Sequence, residues 1–352
     1  RRAQPRDWRG ALLAVAGVLV YGLNWLAGRR ENAKWAVAFA ERYCAPTNAE
    51  GKPTLMAANF AEMGTGDASG LLLKESENEF FFYATGRRNC AWLSATLCTR
   101  PRQCLYTRLA SLVGLAGKAA GEDRLTLEFA VPPSEMEPVC LVVGRKREAK
   151  ALRKDDKGLG DHTKALSLVG KGSARGNYSD KLACYAEAKE VLEALIPDGA
   201  VERLLSDAAL EDMARGGHFV SLAVRDAAEN RADGATAVVG FQFRVPTPER
   251  MGELDALMDW AIAMIDTLGR FKLSPALREK ALRRREKVAA ATVDTRTKQE
   301  KAHAQAVDAE ERRKAKLEAM SPAERAKELA KMKKKQQRKA QMRGAGIRMR
   351  KA

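Results

Sequence analysis

Residues 237–271 read AVVGFQFRVPTPERMGELDALMDWAIAMIDTLGRF. The first nine, Ala237 to Val245, form a β-type run that ends at Pro246. From Pro248 to Phe271 the period changes. Leu254, Leu257, Met258, Ala261, Ile262, Ile265 and Leu268 recur at i, i+3 and i+4, which predicts a helix with one face in a core. Four more β-type runs lie upstream: Phe80 to Thr85 (FFFYAT), Leu125 to Val131 (LTLEFAV), Val139 to Val143 (VCLVV) and Phe219 to Val224 (FVSLAV). Helical patterns are expected over Asn89 to Val113 with a break at Pro101, and over Arg145 to Lys154, Tyr185 to Leu195 and Val201 to Ser206. Strands grouped in this way between helices predict an α+β domain with a mostly antiparallel sheet.

Outward from that domain the composition changes twice. Nineteen uncharged residues, Gly10 to Gly28 (GALLAVAGVLVYGLNWLAG), stand between Arg9 and Arg29. At ~1.5 Å per residue they are long enough to cross a bilayer as a helix. Asn24 is the one strongly polar side chain inside, and Tyr21 and Trp25 read as interfacial anchors. A signal peptide is the rival reading. The stretch outruns an ordinary h-region and ends in Gly28-Arg29-Arg30 with no small-x-small cleavage pattern, so a single span is expected. Flanking charge does not orient it, being +3 before (Arg1, Arg2, Arg6 and Arg9 against Asp7) and +2 after (Arg29, Arg30 and Lys34 against Glu31). The chain begins without Met, so a preceding segment is expected whose charge is not counted here.

At the other end, Ser274 to Ala352 has no Phe, Trp or Tyr and one Ile, Ile347. It has too little apolar material for a core of its own. Ser274-Pro275 reads as a helix start, and Ser321-Pro322-Ala323-Glu324 as a capping box opening a second helix to about Met342. End to end the two would reach about 100 Å. Leu277, Leu282, Val288, Val293, Val307, Leu317 and Met320 are too sparse and off register for a coiled-coil seam. Residues 331–352 hold ten basic side chains and no acid, supplying +10 of the chain's net +17. These are Lys331, Lys333, Lys334, Lys335, Arg338, Lys339, Arg343, Arg348, Arg350 and Lys351. Such a run neutralises phosphates without reading base sequence, and with no aromatic interleaved it does not stack on single strands. The expected organisation is therefore an anchor with its flanks at 1–32, an α+β domain at 33–272, a helical arm at 273–342 with a break near 320–322, and a basic tail at 343–352.

Little chemistry is visible between these ends. Gly64 to Gly70 has one residue too many for a dinucleotide fingerprint and follows no strand, and Gly170-Lys171-Gly172-Ser173 lacks the spacing of a phosphate loop. His162, His218 and His303 are scattered, with no nucleophile and orienting group in recognisable order. Cys44, Cys90, Cys98, Cys104, Cys140 and Cys184 make no C-x-x-C pair, so free thiols in a reducing compartment are expected, with no metal and no cofactor. Cys90, Cys98 and Cys104 are placed in one helical region. That compartment and the basic tail favour a cytosolic C-terminal portion. The sequon Asn177-Tyr178-Ser179 checks it, since only a lumenal site is glycosylated.

Three function classes remain: a ribosome-associated membrane protein, a membrane-surface tether whose tail binds anionic lipid, and a membrane enzyme with an unrecognised site. The order of pieces resembles the calumin family, the coiled-coil-domain subunit of the PAT complex of the endoplasmic reticulum. The likeness covers nearly the whole chain: the span, FFFYATGRRNC at 80–90, VCLVVGRKREAKAL at 139–152, the stretch from Gly240 to Ala281, and an Arg/Lys/Glu arm ending in RMRKA. Its most specific parts are Tyr83 to Leu109, with Thr-Gly-Arg before an expected helix, and Phe241 to Lys280, with F-x-F-x-V-P before a helix ending in D-x-x-x-x-F-x-L. The resemblance implies a non-enzymatic protein of the endoplasmic reticulum membrane. It would pair with a small membrane partner called Asterix and work beside the Sec translocon on nascent multipass membrane proteins. It further implies that the cytosolic domain and helices contact the ribosome, rRNA and ribosomal proteins alike, with residues 331–352 near the nascent-chain exit. An acidic lumenal segment associated with calcium binding belongs to the family ahead of the span; no calcium role is carried over to this chain.

Overall fold

The computed structural model describes residues 8–64, 71–112, 121–132, 136–166, 178–226, 237–291 and 293. The apolar stretch opens helix α1, Trp8–Phe39, which runs without interruption past Gly28 into a wider π-helical turn at Ala40–Cys44. There the chain closes on itself through the Ala45 amide donating to the Ala40 carbonyl at 2.8 Å. After α2 (Leu55–Asn59) come β1 (Glu62–Met63), β2 (Leu73–Lys74), β3 (Glu79–Thr85), β4 (Trp92–Cys98), α3 (Leu105–Leu112) and β5 (Arg124–Val131). Then follow β6 (Leu141–Arg145), α4 (Lys146–Asp155), α5 (Lys157–His162), β7 (Lys164–Leu166), β8 (Leu182–Ala186), α6 (Lys189–Leu195), a single turn α7 (Asp198–Ala200) and α8 (Asp207–Glu211). The last strands are β9 (Phe219–Arg225) and β10 (Ala237–Arg244), and a 3-10 stretch at Pro248–Leu254 leads into α9, Asp255–Arg270.

One antiparallel sheet takes the order β1-β3-β4-β5-β10-β9-β6-β8-β7, with β2 beside β3. The α+β class with an antiparallel sheet is therefore the observed one. Period 2 decides which side chains face the main core. Phe80 and Phe82 of β3, Leu125, Leu127 and Phe129 of β5, and Phe241 and Phe243 of β10 all point to the face that α9 covers. The predicted apolar face is the buried one: Leu254, at the end of the 3-10 stretch, and the six named residues of α9 all lie in that core. Phe241 packs edge-on against Trp260 at 5.2 Å and against Phe129 at 6.2 Å. Part of the opposite sheet face is closed by a smaller cluster in which Ala149 and Leu159, from α4 and α5, meet Cys140, Val142 and Ala223.

Two expectations fail locally. Residues 92–98 are the strand β4 and not the start of a helix. Leu93, Ala95 and Leu97 are buried while Trp92, Ser94, Thr96 and Cys98 alternate outward, and pairing on both edges with β3 and β5 overrides the helix-compatible spacing of Leu and Ala. Cys90 and Cys98 consequently belong to the β3–β4 hairpin, and Cys104 stands just before α3, so the three do not share a helix. Likewise Tyr185 and Ala186 end β8, and the helix expected from 185 starts only at Lys189. All six cysteines are free thiols.

The hairpin turn explains the Thr-Gly-Arg signature. Gly86 has a φ of +84°, and a Cβ there would lie 2.7 Å from the Ala61 Cβ, so a larger residue is disfavoured twice. Arg87 then reaches α9, where its guanidinium meets Asp266 at 3.0 Å and also donates to Asn59. Asp266 is the aspartate of the D-x-x-x-x-F-x-L signature, so the two most specific stretches of the sequence meet in one ion pair.

Candidate functional site

Along the first half of α1 the side chains are bare. Leu12, Leu13, Val15, Val18, Leu19, Val20, Tyr21, Leu23 and Leu26 are all exposed, and none of the helix's most apolar stretch is buried. Ala36, Phe39, Tyr43 and Cys44, further on, are buried in the sheet's core. The same rod is thus a candidate membrane span at one end and a core element at the other.

Between these halves sits a polar collar built on the loop 99–104 and the start of α3. Asn24, the odd polar residue of the apolar stretch, donates to the Gln103 carbonyl at 3.0 Å and accepts from Arg108 at 3.2 Å. Asn32 is fully buried and donates to the Glu77 carbonyl and the Gln103 side chain, both at 3.0 Å. Arg102 lies 3.8 Å above the Trp35 ring, donates to Asn32 at 3.1 Å, and forms a two-pronged pair with Asp123, both prongs at 2.8 Å. Gly28 permits the approach, since a Cβ there would stand 2.4 Å from backbone atoms of Arg102 and Gln103. Replacing Gly28 by leucine is expected to push α1 off the loop. Overpacking of this kind costs about 1–3 kcal/mol, read as a fall in the unfolding midpoint of the chain in detergent micelles.

Cys104 sits at the N-terminal end of α3. Hydrogen bonds from Thr107, its hydroxyl first and its amide second, hold this thiol below the ordinary value, whereas burial pushes Cys90 up to about 11 and raises Cys44 and Cys140 as well. The thiolate is the nucleophile, so limiting iodoacetamide at pH 8 is expected to modify Cys104 first and Cys44 and Cys140 only after unfolding, as peptide mass mapping reads directly.

Where α1 ends, a groove of about 790 Å³ opens between its last turns, the 45–58 segment and the start of α9. Glu41, Leu55, Met251, Asp255 and Asp259 are among its lining. Arg42 is held against Asp255, and the Tyr43 hydroxyl lies 2.8 Å from Asp255 and 2.9 Å from the Met251 carbonyl. Burial, then the Asp255 charge, raises the Asp259 carboxyl above its usual range. Of the histidines, His218 pairs with Glu253 at 2.8 Å and His162 lies near Arg285 and Asp226. His303 falls outside the described residues. Among the described residues no three His, Cys, Asp or Glu side chains gather where a metal ion would sit.

The ten basic residues singled out in the sequence, Lys331 to Lys351, lie outside the described residues, as do residues 65–70 and 167–177, with Gly66, Gly70, Gly170, Gly172 and Asn177 among them. Of the sequon, Tyr178 and Ser179 are buried, and the Ser179 hydroxyl donates to Asp207 at 2.5 Å. The helix that begins after Ser274 is described to residue 291, and its first turn carries the Arg278 amide to the Ser274 carbonyl at 2.9 Å.

Compared with known proteins, the sequence profile of the family described as PAT complex subunit CCDC47 matches residues 7–339, from the foot of the apolar helix into the basic tail. The chain belongs to the CCDC47 family. A protein of Arabidopsis thaliana described as uncharacterized is 28% identical over 288 residues, covering 81% of this chain and 56% of its own length. The PAT complex subunit CCDC47 of Mus musculus and that of Homo sapiens are each 24% identical over 294 residues, covering 79% of this chain and 57% of their own. The chain thus spans a little over half the length of these relatives. Membership in the CCDC47 family gives the collar a context: the family match takes in both the bare half of α1 and the loop that grips it.

Proposed function

We propose that this protein is a single-pass protein of the endoplasmic reticulum membrane, a subunit of a PAT-type complex, whose sheet domain and arm lie in the cytosol and engage ribosomes. The observation that carries the reading is the CCDC47 match, which runs unbroken from the candidate span through the sheet and into the charged arm. The role is one of holding and placing, with no reaction of its own. Lys331, Lys333, Lys334, Lys335, Arg338, Lys339, Arg343, Arg348, Arg350 and Lys351 meet rRNA phosphates, an attraction strong in dilute salt and free of sequence readout. The Asterix-like partner, the Sec translocon and nascent multipass membrane proteins are reached from the membrane side, through the bare face of α1. Six free thiols suit the cytosolic placement.

Affinity capture of the tagged chain from digitonin-solubilised microsomes tests this. Ribosomal subunits, Sec subunits and a small membrane protein are the expected co-purifying species, and in sealed microsomes a C-terminal tag is expected to be open to protease. Recovery of none of these, or a protected tag, would overturn the reading.

A further inference from the structure

The helix that follows Ser274 is seated on the sheet domain in an unusual way. Its residues up to Arg285 belong to the same compact unit as the sheet, and a second unit begins at Glu286. Yet of residues 275–285 only Ala281 is buried, while Leu277 is half-buried and Leu282 is exposed. An apolar seat of one alanine contributes little, roughly the burial of a single methyl group. Arginines supply the rest. Arg278 takes Glu137 in a two-pronged pair at 2.8 and 2.5 Å, and Glu137 is only 3% exposed. Arg284 donates twice to the Asp161 carbonyl, at 2.9 and 3.2 Å. Arg285 forks onto Glu187 at 2.9 and 3.1 Å and donates to Asp226 as well, and all three side chains are less than a fifth exposed.

The acceptors come from one region of the sheet. Glu187 follows β8, Asp226 follows β9, and Cys140 immediately before β6 donates its thiol hydrogen to Asp226 at 3.3 Å, while its carbonyl accepts from the Glu187 amide at 3.2 Å. The fold has buried carboxylates there, and a buried carboxylate is costly without a cation. These charges belong to the sheet domain whether the helix is seated or not, so the guanidinium of Arg285 decides the balance.

We propose that residues 275–285 form a releasable ionic clasp, closed by Arg285 between Glu187 and Asp226, through which the root of the arm docks on and leaves the sheet domain as a unit. Closed, the chain departs from the domain at Arg285. Open, it departs at Ser274, eleven residues earlier, and the carboxylates of Glu137, Glu187 and Asp226 are bared together. Leucine-rich packing would have made the seat permanent; a seat with one buried alanine leaves little apolar surface to expose when the helix lifts and its carboxylates regain water, so it opens locally.

Hydrogen exchange of the full chain in detergent micelles, read by mass spectrometry, tests the clasp. In the unmodified protein residues 275–285 are expected to exchange together and at least about tenfold faster than β10, as a local opening does. Arg285→Ala is expected to raise their exchange by about 100-fold or more, the scale of one lost buried ion-pair partner, with β9 and β10 unchanged. Arg285→Lys, which keeps the charge and loses the fork, is expected to fall between the two. Unchanged exchange at 275–285 in Arg285→Ala would overturn the proposal, since the seat would then be held by something else. So would a parallel loss of protection in β9 and β10 in both variants, which would make the helix an integral part of the sheet's core.

Discussion

Cutting the chain after Met320 is expected to remove most of its affinity for ribosomes and nearly all of the salt dependence of that affinity. The deletion takes away all ten basic residues of the acid-free tail. Each phosphate that a lysine or arginine neutralises releases counterions and adds about 0.7–0.9 to the slope of log affinity against log salt. A tail engaging six or more phosphates should make the intact chain lose about 10³–10⁵ in affinity between 50 and 200 mM salt, a loss the truncated chain would largely escape. Equilibrium binding to purified ribosomes across that range reads the slope. The deletion removes no described residue, so an unchanged slope would place the binding surface outside the tail.

Arg102→Met is the second expected result, a destabilisation of about 3 kcal/mol, because one partner of a buried pair is removed and the other left behind. The Arg102 and Asp123 side chains are 14% and 11% exposed, and their two prongs are both 2.8 Å. Methionine keeps much of the stem's packing over Trp35 and loses both prongs and the bond to Asn32. Asp123 retains the Arg100 amide at 2.9 Å, which tempers the loss. Asp123→Asn on its own removes the charge while keeping an acceptor, and the double variant should be more stable than the sum of the single losses predicts. Unfolding midpoints in micelles check this, and a cycle that closes with no coupling would show that the collar does not depend on the pair.

Much of this architecture is legible in the sequence because burial leaves a period. The alternation Leu125-Thr126-Leu127-Glu128-Phe129 and the i, i+3, i+4 run from Leu254 to Leu268 are direct prints of a sheet face and a helix stripe on one core. Residues 92–98 escape because WLSATLC satisfies both periods over so short a span, and only the neighbouring strands choose between them. The collar is illegible for a different reason. Asn24 stands out as a polar residue in an apolar helix, but its partners Gln103 and Arg108 are 79 and 84 residues away, and no local rule connects them. Arg285 hides in the same way, one arginine among many in a basic arm, marked only by carboxylates that the strands β8 and β9 deliver from far upstream. The ten tail residues are conspicuous in the sequence because charge needs no fold to be counted.

Partner choice by the intact chain separates ribosome binding from lipid tethering. Reconstituted in detergent micelles at 0.1 M salt, it is incubated with purified ribosomes and, separately, with liposomes rich in phosphatidylserine, and each is sedimented or floated. The chain is expected to pellet with ribosomes, to be released as salt is raised, and to stay with ribosomes when the liposomes compete. A chain that remains in the supernatant with ribosomes at low salt, yet floats with the anionic liposomes, would contradict ribosome binding and make the basic tail a lipid tether.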